Sequence, residues 1–342
     1  MNIPEKKSKR GLFISFGFSL AAVAVVLFFT VDENTVKSIL QLKPAFMGAA
    51  FLTALAQWLV EGLRIKAVAW ALNTKQRPGV RAAVRVSLST FFFAGVTPLA
   101  VGEWPAQIYL LTRLGLAAGE AAAIALLRTF FSKCILVFTA AVLLLQGSAW
   151  RGNQALAVLS RYAFWVTAAT TLLYILLMWQ SELAVRLVDF ITHLPCVMRL
   201  TSCRSRLGRI PERALQETKR FRDTISHISR QSSLRLLLPL GLTVLYWSLF
   251  FTIAPLLLTG FGVRTDIFAA ILRQVIIILV QPFVPVPGGS GAVELGLATL
   301  FTAFVPAAVL GVFIVAWRFF TYYLPLLCGA FFALRQGGSS RS

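Results

Sequence analysis

The sequence predicts an all-α polytopic membrane protein: one integral membrane domain over residues 1–342, with about six full spans and two opposed re-entrant hairpins arranged as an inverted repeat. Three observations carry this. Hydrophobic residues make up 58% of the chain and charged ones 13%, far from soluble domains. The apolar runs are about twenty residues long, which suits helices crossing a roughly 30 Å hydrocarbon core and exceeds the strands of a membrane barrel. Two of the apolar stretches are broken by proline and glycine in the same order of parts.

The elements follow in order. The basic start EKKSKR precedes an apolar run from Gly11 to Thr30 that ends at VDEN. Basic flanks stay in the cytoplasm, so the N-terminus is expected inside. FFTVDEN lacks an A-x-A cleavage pattern, and the run is expected to be a retained anchor. The second span, Pro44 to Leu72, ends in a segment whose Lys75, Arg77, Arg81 and Arg85 return it to the cytoplasm. Beyond the first irregular stretch lie spans near Glu120 to Gln146 and Arg161 to Gln180.

Residues 186–235 then carry eleven Lys/Arg against four Asp/Glu and read as a basic cytoplasmic loop. Such a loop can lie on anionic lipid as an amphipathic helix. The positive-inside bias accounts for its charge, and no nucleic-acid partner is expected. Spans at Leu236 to Thr259 and Pro306 to Leu334 flank the second irregular stretch, and the tail RQGGSSRS is expected inside. The chain should therefore sit in the cytoplasmic (inner) membrane with both termini cytoplasmic. The sides agree only if each irregular stretch leaves on the face it entered.

The two irregular stretches match residue by residue. Arg85, Pro98, Gly102, Glu103 and Arg128 fall in the same order as Arg273, Pro287, Gly291, Glu294 and Arg318, at offsets of 188 to 191 residues. A repeat at near-constant spacing marks duplicated architecture. We place the first copy at 44–146 and the second at 236–334. Three spans separate equivalent points, and an odd number inverts the second copy, so the hairpins should enter from opposite faces.

Between the apolar runs, QPFVPVPGGSGAVELG cannot form an ordinary helix. Pro285 and Pro287 remove backbone donors, while Gly288, Gly289 and Gly291 permit positive φ and close approach. Lipid cannot satisfy the backbone groups of broken helix, so such a stretch must be buried in protein or line a wet cavity. A helix beginning after Gly291 would also present free amides to an anion. Glu103, Arg128, Glu294 and Arg318 lie in or near apolar segments, where a charge costs several kcal/mol unless paired or hydrated. Three readings are open: snorkelling to an interface, a structural Glu–Arg pair, or arginines that hold a phosphate headgroup in their planar fork while the glutamates hold them or exchange for it. Arg64, Lys66 and Arg113 read as interfacial anchors, and Lys133 is open between the two roles.

PVPGGSGAVE, with TPLAVGEWPAQIYLL and GEAAAIALLRTFFSK in the first half, resembles the transmembrane, flippase-type region of lysylphosphatidylglycerol synthases and their stand-alone relatives. The resemblance covers roughly residues 10 to 335. It implies movement of lipids or lipid-linked glycans across a membrane. The soluble aminoacyl-transfer domain of the larger members is not expected here, nor is its activity. On this reading Glu103, Arg128, Glu294, Arg318, Pro287, Gly288, Gly289, Gly291 and Gly102 form the substrate site.

Known catalytic signatures are absent from the sequence. The four cysteines have no C-x-x-C spacing, and the two histidines, His193 and His227, lie in the basic loop, so no metal or other cofactor is expected. Asp occurs only at 32, 189, 223 and 266, outside the deep spans, which leaves no paired-Asp magnesium centre. The leading expectation is a flippase or transporter of a phosphate-headgroup lipid or lipid-linked glycan. Its partners would be an anionic phospholipid or lipid-linked substrate and the bilayer, with homo-oligomerisation open. An integral-membrane transferase acting on a phospholipid or polyprenyl phosphate, and a scaffold of envelope synthesis, stand beside it.

Overall fold

The structure, a computed structural model, describes residues 43–145, 154–179, 234–264 and 266–338, together with six positions of a short helical segment between Gln216 and Thr224. The expected span at Gly11 to Thr30, both termini and most of the basic loop lie outside the described residues. Those described are helical or loop, without strands.

Helix α1 (Pro44–Ala71) starts with proline at its first turn, where a missing N–H costs nothing. It ends at Asn73, whose φ of 52° closes the chain so that Thr74 N donates to Ala69 O at 3.1 Å. Helix α2 (Val80–Val96) leads into a 3-10 turn (Pro98–Ala100) and the short α3 (Glu103–Thr112). Two longer helices follow, α4 (Ala118–Leu145) and α5 (Gln154–Trp179). The second half opens with α6 (Leu234–Gly260) and α7 (Ile267–Val280), which runs through 3-10 turns at Gln281–Phe283 and Pro287–Gly289 into α8 (Ala292–Phe301). Helix α9 (Ala307–Arg318) continues through a π-helical turn (Phe319–Tyr323) into α10 (Leu324–Gly338).

Four helices are long and apolar enough to cross a membrane: Pro44–Ala71, Ala118–Val142, Leu234–Gly260 and Ala307–Arg335. These match four of the expected spans closely. The remaining expected span among the described residues, near Arg161 to Gln180, is α5, whose apolar part is the shorter Phe164–Leu176. Helices α3 and α8 have 10 residues each, about 15 Å, too short to cross a hydrocarbon core.

Helix starts recur through the chain. Pro44, Glu103 and Ala118 are followed by Leu234, Ala292 and Ala307, 189 or 190 residues later. The corresponding helices α1 and α6 pack antiparallel. Lys43 N donates to Gly260 O at 3.0 Å, Arg64 Nε to Thr243 Oγ1 at 3.2 Å, and Arg235 lies over the Trp70 ring, so contacts run in opposite order along the two helices.

The two broken stretches share a backbone signature. Leu99 and Ala100 have φ of 54° and 53°, and Gly288 and Gly289, 189 residues on, have 64° and 65°. The tips meet: Tyr322 Oη, beside the second tip, donates to Gly95 O at 3.2 Å near the first, and the two 3-10 turns are neighbours. Close helix packing sets this position. Gly329 has no room for a Cβ against Leu88 of α2, nor Gly62 against Val84. One buried apolar cluster joins α6 to α9 and takes in Ala50, Ala54, Leu136 and Ala140 of the first half, and another links α1, α2, α3 and α4.

Candidate functional site

In the second half the site is closed. Glu294 sits in the first turn of α8 and accepts from Gly291 N–H at 2.8 Å, because Gly291, with φ 87°, turns its amide back toward the side chain. The same carboxylate accepts from Arg318 Nε at 2.8 Å. Arg318 donates further to Ser290 Oγ at 3.4 Å and to Gly288 O at 3.5 Å, and its guanidinium lies 4.1 Å from the Tyr322 ring centroid. The π-helical turn places that ring one turn beyond Arg318, and Gly288 allows it close, since a Cβ there would collide with the phenol. Side-chain exposure is 2% for Arg318 and 0% for Glu294.

The free helix terminus expected after Gly291 is therefore occupied. The protein's own carboxylate fills the place an anion would take. Pro287 is buried at the start of its turn, and Gly289 N donates to Val286 O at 2.9 Å, so both serve to shape the tip.

The first half holds a larger network. Arg128 of α4 pairs with Glu103 at 2.6 Å, as the matched order predicts, and donates to Gln107 Oε1 at 3.0 Å. It also pairs with Glu61 of α1, whose other oxygen is held by Arg64. Arg64 continues to Ser132 Oγ at 2.6 Å, to Thr243 Oγ1 and to the carbonyl of Arg128, with Tyr246 over its face. Gly102 is the close-approach residue of this tip: its N–H donates to Thr97 Oγ1 at 2.9 Å, and a Cβ would lie 2.6 Å from Phe93 O.

One expectation changes here, and one residue is added. Arg64, read from sequence as an interfacial anchor, is 1% exposed and fully bonded inside the protein. Glu61 was not singled out, although its i, i+3 spacing to Arg64 within an apolar span was a usable sign. Lys66 and Arg113 are exposed, as an anchor would be.

Depth is set by the helices. Glu61 lies ten residues from the end of α1 and Arg128 ten residues into α4, about 15 Å each. Those two ends are tied together by Lys75 N donating to Glu120 Oε1 at 3.4 Å, so both charges sit at one level along the two helices. Two carboxylates meet two guanidiniums, which neutralises the network. The networks differ in access: Glu103 has 35% side-chain exposure and Arg128 13%, against the sealed second pair.

A family model described as the lysylphosphatidylglycerol synthase TM region matches residues 12–329. The chain belongs to this family. The match takes in both broken stretches and both charge networks. A UPF0104 membrane protein from Archaeoglobus fulgidus is similar at 27% identity over 319 residues, 91% of this chain and 93% of that protein. Family membership and the long apolar helices together make the chain a multi-pass membrane protein. Within this lysylphosphatidylglycerol synthase TM region fold, the candidate site is the meeting of two helix breaks, each backed by a Glu–Arg pair, partly exposed in the first half and buried in the second.

Proposed function

We propose that the chain translocates a phosphate-headgroup lipid or lipid-linked glycan across the cytoplasmic membrane, with α2–α3 and α7–α8 acting as opposed re-entrant hairpins of an inverted repeat. The observation that carries this is the meeting of two broken-helix tips beside mid-span charge pairs. A packed structural core has no need of non-helical backbone and four buried guanidinium or carboxylate groups at that depth, where each is costly. The antiparallel packing of α1 on α6 and the shortness of α3 and α8 support the inversion.

Arginine suits the headgroup because its fork donates two bonds to a phosphate. The glutamates hold the arginines between substrates, and the two hairpins alternate in opening to either face. Purified protein in liposomes carrying a fluorescent phosphatidylglycerol should expose the probe to an outside quencher faster than protein-free liposomes do. Arg128→Lys should slow that movement by about tenfold or more, since it keeps the charge and loses the fork. No acceleration by wild-type protein with either anionic phospholipid or isoprenoid phosphate would end the proposal.

A further inference from the structure

The two charge networks are unequal in one respect that points to a ligand. Every donor nitrogen of Arg318 has an acceptor, and among the described residues no buried atom of the second-half pair is left over. The first-half network leaves donors unused. Gln107 is 1% exposed; its Oε1 accepts from Arg128, and its Nε2 has no acceptor among the described residues. Arg128 Nε is buried and equally unbonded. Lys133, further along α4, makes no ion pair or hydrogen bond with the described residues, and Glu103 is the carboxylate whose charge acts on it. Native proteins rarely leave buried donors without acceptors.

We propose that Gln107 Nε2, Arg128 Nε and Lys133 form the binding site for a phosphate group, with Glu103 as the counter-ion that this group displaces. The inference rests on the translocation reading of the same site. Glu103 is the group able to leave: it begins α3 and is 35% exposed in its side chain, whereas Glu61 is gripped by two arginines. On displacement, phosphate oxygens replace the carboxylate on Arg128 Nη2 and accept from the three unused donors. A tetrahedral phosphate offers oxygens in several directions, while a carboxylate offers two in one plane. The second-half pair then serves as a fixed lock on the facing tip.

The test uses the full chain in detergent, titrated with short-chain phosphatidylglycerol, inorganic phosphate and diacylglycerol, with thermal unfolding as the binding readout. Phosphatidylglycerol should raise the unfolding temperature and diacylglycerol should not. Comparable protection by inorganic phosphate assigns the site to a free anion; protection by phosphatidylglycerol alone assigns it to a lipid headgroup. Lys133→Met and Gln107→Leu should each weaken binding about tenfold, the loss of one bond to a charged group. Glu103→Gln should tighten it several-fold. Wild-type affinity in both Lys133→Met and Gln107→Leu, or no protection by either phosphate compound, overturns the site. If translocation persists in that case, only this inference falls. If the binding pattern holds while the wild-type protein moves no lipid, only the proposed function falls.

Discussion

A guanidinium held in the middle of a membrane protein is as stable as its set of acceptors, and Glu61 is the residue on which most of the first network depends. It joins Arg64 and Arg128 and is enclosed, so Glu61→Gln should lower stability by about 3–5 kcal/mol, the cost of leaving a buried charge unpaired. Glu103→Gln should cost much less, because the partly exposed side chain leaves room for water or lipid phosphate to replace it. Unfolding in detergent with and without anionic lipid separates the cases. Added phosphatidylglycerol should recover the loss in Glu103→Gln. It should not recover the loss in Glu294→Gln, since the pair with Arg318 is sealed. Equal recovery in both would make the two pairs equivalent.

At the scale of the element, the two tips adopt the same left-handed pair of residues with different amino acids. Leu99 and Ala100 occupy the conformation that Gly288 and Gly289 hold in the other half. An L-residue there costs roughly 1–2 kcal/mol, so the first tip is the strained one. Ala100→Gly should leave stability unchanged or raise it by up to about 1 kcal/mol, as read by denaturant unfolding, because relief of strain outweighs the freer unfolded chain. Gly288→Ala should act the other way. Its Cβ meets the Tyr322 ring in addition to the backbone penalty, and the protein should lose at least about 2 kcal/mol. A stable Gly288→Ala protein would mean the second tip can repack.

For the whole molecule, the arrangement of spans decides which faces the proposed hairpins would use. Helices α3 and α8 cannot cross alone, and the charge runs agree with the span order only if both hairpins return to their starting side. Single cysteines near Arg81 and Arg113 should therefore both react with an impermeant reagent from the cytoplasm. Cysteines near Thr265 and Ala303 should both react from outside. Reaction of the Arg81 and Arg113 sites from opposite faces would remove the re-entrant arrangement and the inversion with it.

Composition and charge were enough to read an all-helical membrane chain, and four apolar runs were placed to within a few residues at each end, because twenty consecutive apolar side chains have one stable answer in lipid. The pairing of Glu103 with Arg128 and of Glu294 with Arg318 was legible too, from a repeated order that charges in an apolar setting had to satisfy. Other features depended on contacts between distant segments. Arg64 looked peripheral in α1, and Glu61 drew no reading, until α4 and α6 closed around them with Arg128, Ser132 and Thr243. Glu294 could have been a helix-end neighbour of a bound anion, and the turn at Gly291 made it the occupant instead. The difference between an open network and a sealed one is a matter of which helices lean over which side chains, and local periodicity carries no record of that.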